Sequence, residues 1–223
     1  MSKHVILLVA AFLTAFYLSS QNTDDLIISE YVEGSSNNKY LEIFNGTGEP
    51  VNLDDYEIQI YSNGSQEAGR QIPLEGNLSQ DDVFVLGHTS GEIYQESDME
   101  HGWLSFNGND AVVLFKKSTG TEIDVFGCIG QDPGEAWTAD GDLTTMDMTL
   151  RRDPDVTEGA TVEDNAEDFN TLATEWHATS KDDVSGLGEH PGTATHKASS
   201  AKNLEFGLHP NPAIDHVFVE TGK

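Results

Sequence analysis

The 223-residue sequence predicts an all-β protein arranged as a two-sheet sandwich. Three observations carry that expectation. Short apolar stretches recur between residues 24 and 190, turn-forming Gly, Asn and Ser separate them, and no segment holds an apolar stripe of helical period. Strands at this spacing fit a sandwich or a closed barrel, and the sandwich is preferred.

The strands are taken in chain order. Residues 26–33 (LIISEYVE) come first and end in the turn residues Gly34 to Asn38. Residues 39–44 (KYLEIF) follow and stop at Asn45-Gly46. Residues 56–61 (YEIQIY) alternate, with Tyr56, Ile58 and Ile60 on one face and Glu57, Gln59 and Tyr61 on the other, as in a half-buried strand. Asn63-Gly64 closes it. Further strands are expected at 72–78, 82–86 and 111–117, the last turning through Ser118-Thr119-Gly120 into 121–128. Residues 148–151 and a segment near Trp176 complete the set.

The two ends belong to other units. Residues 1–21 have the form of a secretory signal: Lys3 and His4, an apolar run over 5–18, then Ser19-Ser20-Gln21. The run is shorter than the roughly 20 residues that span a bilayer, so no stable membrane insertion is expected once the signal is cleaved. The sandwich is assigned to residues 22–192 and a small polar linker to 193–205. Residues 206–223 contain a Pro210-Asn211-Pro212 turn and an alternating strand over 214–220, the start of a further small β-domain.

Residues 28–45 (ISEYVEGSSNNKYLEIFN), 51–64 (VNLDDYEIQIYSNG), 106–111 (FNGNDA) and 124–127 (DVFG) resemble a lamin tail domain of the bacterial secreted type. Residues 149–152 (TLRR), 174–176 (TEW) and 186–190 (GLGEH) resemble the end of that module. The resemblance implies an immunoglobulin-like β-sandwich, and it implies little chemistry, since no catalytic site defines the family. Residues 208–213 (LHPNPA), with Asp215, His216 and Val217, are similar to the opening of the C-terminal sorting domain of the type IX secretion system of Bacteroidetes. His209 stands where that family usually has Tyr or Phe, and the similarity is truncated at Lys223. The secretion machinery is therefore an expected partner of the tail.

Charge narrows the partners. With 39 Asp and Glu against 11 Lys and Arg, the formal charge is −28, which excludes duplex nucleic acid and anionic lipid as expected partners. A lone Cys128 excludes a disulfide framework and reads as a small buried hydrophobe. Ten Phe, six Tyr and three Trp are enough for a core.

Chemistry is sparse. No HExxH pair, P-loop, GxSxG elbow or CxxC spacing occurs, so no catalytic residues and no cofactor are assigned. Calcium is the one ligand the charge favours, with oxygen donors at Asn107, Asn109, Asp110, Asp140 and Asp142, although none matches an EF-hand. Similar donors stand at Asp153-Pro154-Asp155 and over 163–168, and a solvated acidic surface is the plainer reading of all of them. Glu30 and Glu42 interrupt apolar strands and could form a glycosidase-like pair, but they are expected to point outward. His177 and His190 could approach each other, and exposed loop positions are the expectation. Trp103, Trp137 and Trp176 could stack a carbohydrate, and core positions are preferred. Arg151 and Arg152 are expected to pair with nearby carboxylates.

The function expected is a secreted or cell-surface, non-catalytic module that binds an extracellular protein or polysaccharide. The alternatives are an accessory module of a secreted nuclease or phosphatase, and a calcium-stabilised carbohydrate-binding domain.

Overall fold

The computed structural model describes residues 22–191, and the expected signal, linker and sorting segment lie outside the described residues. Two antiparallel sheets face each other. The larger has the order β14-β13-β1-β2-β7-β8, formed by Trp176–Thr179, Thr149–Arg152, Ile27–Glu33, Lys39–Asn45, Asp82–Gly87 and Met99–Glu100. Only the β7–β8 pairing is parallel. The smaller has the order β10-β9-β4-β5, formed by Thr121–Phe126, Ala111–Lys116, Tyr56–Tyr61 and Arg70–Pro73. Two short ribbons flank them: β3 (Val51–Asn52) with β6 (Asn77–Leu78), and β11 (Thr138–Ala139) with β12 (Leu143–Thr144). Among the described residues, helix is confined to a 3-10 turn at Leu53–Asp55 and one turn, α1, at Leu172–Glu175. The predicted sandwich and low helix content are both present.

The expected strand over 72–78 is two strands. Pro73 offers no N–H to a continuing ladder, and Gly76 at φ +102° turns the chain from β5 into β6. The paired ribbons β3–β6 and β11–β12 and the two-residue β8 escape the sequence pattern, because two residues cannot display a period.

Inward faces of both sheets meet in one core. Leu41 and Ile43 of β2, Phe84 and Leu86 of β7, and Leu150 of β13 pack towards Ile58, Ile60, Val112 and Leu114 of the smaller sheet. Aromatic rings form the keel of this layer. Tyr31 lies stacked between Phe106 and Phe126, with centroids 4.7 and 4.1 Å away. Phe126 also meets Phe169 and Trp176 edge-on at 4.8 and 5.0 Å. Trp137 and Trp176 are therefore core residues, as preferred from sequence, and Cys128 is buried beside them.

One buried carboxylate sutures the sheets. The β9–β10 ladder shifts register between Glu122 and Asp124, and the β1–β2 ladder shifts between Ile28 and Glu30. Beyond the β10 irregularity Asp124 lies on the inward side with Phe126, where it meets the Ile28 amide next to the β1 irregularity. Asp124 Oδ2 accepts from Ile28 N at 2.7 Å and from Arg152 Nη1 at 2.5 Å, and Oδ1 accepts from Ala160 N at 2.8 Å. Arg152 also donates to Ile28 O at 3.3 Å and to Glu175 Oε2 at 2.6 Å, with its guanidinium 5.2 Å from the Trp176 ring centre. Asp124 is 1% exposed and Arg152 3%. Burial works to lower the Arg152 pKa, but Asp124 and Glu175 together hold it above its ordinary value.

Because Phe126 joins Tyr31, Phe169 and Trp176, truncating it opens a cavity that the stiff strands cannot collapse. Phe126→Ala is expected to cost about 3–5 kcal/mol in urea-induced unfolding. A loss below about 1 kcal/mol would contradict a ring keel.

Candidate functional site

Glu30 and Glu42 stand directly opposite each other on β1 and β2, on the outer face of the larger sheet. The expectation that they simply point outward is corrected here. They do face away from the core, but they are 2% and 1% exposed. Residues 181–190 run over them as a strap. Leu187 packs on Val32, Tyr40 and Val85, and the His190 ring stacks on Phe44 at 3.9 Å. Gly188, at φ +90°, donates its amide to Glu42 Oε2 at 2.7 Å, while Ser29 Oγ donates to Glu42 Oε1 at 2.8 Å. Gly186 leaves room for this contact, since a Cβ there would press on the Glu30 carboxylate and the Arg151 guanidinium and force those side chains to shift.

The strap is also held by charge. Arg151 Nε lies 3.2 Å from Glu30 Oε2, and its Nη2 lies 3.1 Å from Asp183 in the strap. Both arginines thus pair with carboxylates, as their sequence position suggested. Glu30 Oε1 has no hydrogen-bond partner among the described residues. Burial raises the Glu30 pKa from 4.5 to about 7, against the pull of Arg151. Burial drives His190 the opposite way, down to about 4. A carboxyl that titrates near pH 7 resembles a general acid, but this one is 2% exposed and lies beneath the strap.

The oxygen donors proposed for calcium fall in two places. Asp110 accepts from Asn63 N at 2.9 Å and Asn107 N at 3.2 Å, and its pKa is raised by burial. Asn109 Nδ2 donates to Asn63 Oδ1, Asp132 Oδ1 and Gly134 O at 2.8–3.2 Å. Asn107, Asn109 and Asp110 thus splice loops together at one end of the sandwich. Asp140 and Asp142 sit apart from these bonds, at the tip of the β11–β12 hairpin on either side of Gly141. Among the described residues, no group of three or more His, Cys, Asp or Glu is placed to hold a metal ion.

The remaining candidates do not converge. His177 lies exposed on β14, 3.4 Å from Asp153. His190 lies over β2, three ladder positions from β14, and is buried rather than in an exposed loop. Trp103, expected in the core, is instead 58% exposed, with His101 edge-on at 5.6 Å, so the three tryptophans form no common platform.

What sequence reasoning missed is a groove of ≈580 Å³ running the length of β14. Met148 and Trp176 contribute apolar surface, β14 and Ser180 form one side, and Leu143 with Asp140 and Asp142 form the hairpin side. The Asp-Gly-Asp tip was visible as an acid pair, but its position beside β14 depends on contacts that no local pattern records.

These features define an immunoglobulin-like β-sandwich with a strapped outer face and a groove along β14. The chain belongs to the lamin tail domain family, whose model matches residues 19–130. Strands β13 and β14 lie beyond the matched span and complete the same sheet. A comparison with curated proteins returns no match.

Because folding raises the Glu30 pKa, its proton stabilises the fold. That contribution is fully present below pH 4.5 and is lost as pH rises through about 7. His190 has the reverse sign, its contribution being present above 6.5 and lost as pH falls towards 4. Glu30→Gln should therefore remove up to about 3 kcal/mol of the stability that wild type loses between pH 4.5 and 8, as measured by urea unfolding at each pH. Parallel pH profiles for wild type and variant would show that Glu30 is ionised throughout.

Proposed function

We propose that the protein is a non-catalytic interaction module of the bacterial secreted type, working outside the cell or on its surface. One observation carries this reading: Glu30 and Glu42, the carboxylates best suited by sequence to acid–base chemistry, lie sealed under the strap and bonded to Ser29, Arg151 and Gly188. Export is supported by the signal-like residues 1–21 and by the similarity of residues 208–217 to the opening of a type IX sorting domain. The surplus of acid fits an extracellular protein or polysaccharide as partner and disfavours nucleic acid.

Expression of the full chain in a bacterium carrying the type IX apparatus is expected to put the protein in the medium or on the cell surface, with an N-terminus starting near residue 21 by mass spectrometry. The purified product should release no detectable ends from polysaccharide, nucleic acid or phosphoester substrates. Retention in the cytoplasm would remove the extracellular assignment. Hydrolysis abolished by a point substitution in the sandwich would remove the non-catalytic one.

A further inference from the structure

We infer that the groove along β14 is a docking site for an extended, basic peptide segment, which adds to the larger sheet as a further strand. The inference rests on the binding-module reading above and names its surface and partner chemistry.

A sheet edge carries unpaired N–H and C=O groups, and folded proteins blunt such edges by shortening, covering or interrupting them. The other three edges here show each device. The β10 edge is covered, since Val125 N donates to Ala160 O at 2.8 Å and Asn165 Nδ2 donates to Val125 O at 3.0 Å. The β8 edge is two residues long, and β5 ends in Pro73. β14 is different: four residues, Trp176–Thr179, pair with β13 on one side and with no strand on the other. The groove opens beside that free side, with the β11–β12 hairpin close by as its other wall. At about 3.3 Å per residue the strand is about 13 Å long, room for a four- or five-residue extended segment. Addition of a peptide strand to an exposed edge is a recurrent recognition mode, in which backbone bonds supply affinity and flanking side chains supply selectivity.

Charge selects the occupant. Asp140 and Asp142 overlook the groove from the hairpin, both are exposed, and neither makes a hydrogen bond or ion pair among the described residues. Glu175, Asp183 and Asp147, by contrast, are each engaged in an ion pair, with Arg152, Arg151 and Lys181. Asp140 and Asp142 therefore remain to meet an incoming cation, and Lys or Arg at alternate positions of an added strand would present to one side. A second copy of this chain is the poorer fit, because it would bring a body of net charge −28 against another.

The test uses the full chain and a fluorescein-labelled Lys-Thr-Lys-Val-Lys-Thr peptide. Fluorescence anisotropy should report binding that weakens at least tenfold in the Asp140→Asn/Asp142→Asn double variant, whose melting temperature is checked to be unchanged. Methylating alternate peptide amides should weaken binding to a similar extent, and a Glu-for-Lys peptide should not bind. Amide NMR shifts on titration should centre on residues 177–180. No binding up to millimolar peptide, equal binding of the acidic peptide, indifference to the double variant, or shifts centred on another face would each overturn the assignment. Concentration-dependent self-association that shifts the same amides without peptide would assign the edge to a second copy instead. None of these results bears on the non-catalytic reading, which falls only if the secreted protein turns over a substrate.

Discussion

The ion pair between Asp124 and Arg152 is the contact through which the two sheets, the 159–165 segment and the last strand are joined. A carboxylate and a guanidinium leave water at considerable cost, and isolated pairs seldom repay it. Here nearly every polar atom is used. Asp124 accepts from two backbone amides on different elements besides Arg152, and Arg152 reaches Ile28 O and Glu175 while lying against Trp176. The pair fixes which residues of β1 face β10, and so fixes the register in which Tyr31 enters the aromatic layer. Because Arg152 also holds Glu175, it sets where α1 ends and β14 begins.

Much of the fold could be read from the chain because its long strands obey their period. Residues 56–61 and 111–116 alternate or run apolar as a buried strand must, and their ends carry Gly, Asn or Ser in the turns. What escaped is what breaks the period. Asp124 shares the side of Phe126, and nothing local to the strand reveals that a carboxylate placed there finds Arg152 and two backbone amides, while the bulge just before it interrupts the period. Glu30 and Glu42 were assigned to the correct face but to the wrong solvent exposure. Alternation tells which side of a sheet a residue occupies, and it is silent about a strap arriving from residues 181–190. The same limit hid the groove, since Asp140 and Trp176 are brought together only by the hairpin and the sheet edge.

The strap and the groove divide the surface between them. The outer face of β1 and β2 would be an unusual combination of apolar residues and two opposed carboxylates if left open; covering it turns the sheet into a closed body with titratable groups of opposite slope beneath. The β14 edge has no such cover. Among the described residues, β14 is a four-residue edge strand with no strand paired on its outer side.

The suture is tested most directly by a double-mutant cycle on Asp124→Asn and Arg152→Met, followed by urea unfolding at pH 7. Each single change strands a buried partner and should cost about 3–5 kcal/mol. The double variant should cost at least about 2 kcal/mol less than the sum of the two, the signature of side chains that act as one unit. Costs that add to within about 0.5 kcal/mol would mean that the two groups support the fold independently, and the sheets would then be joined by their apolar layer alone.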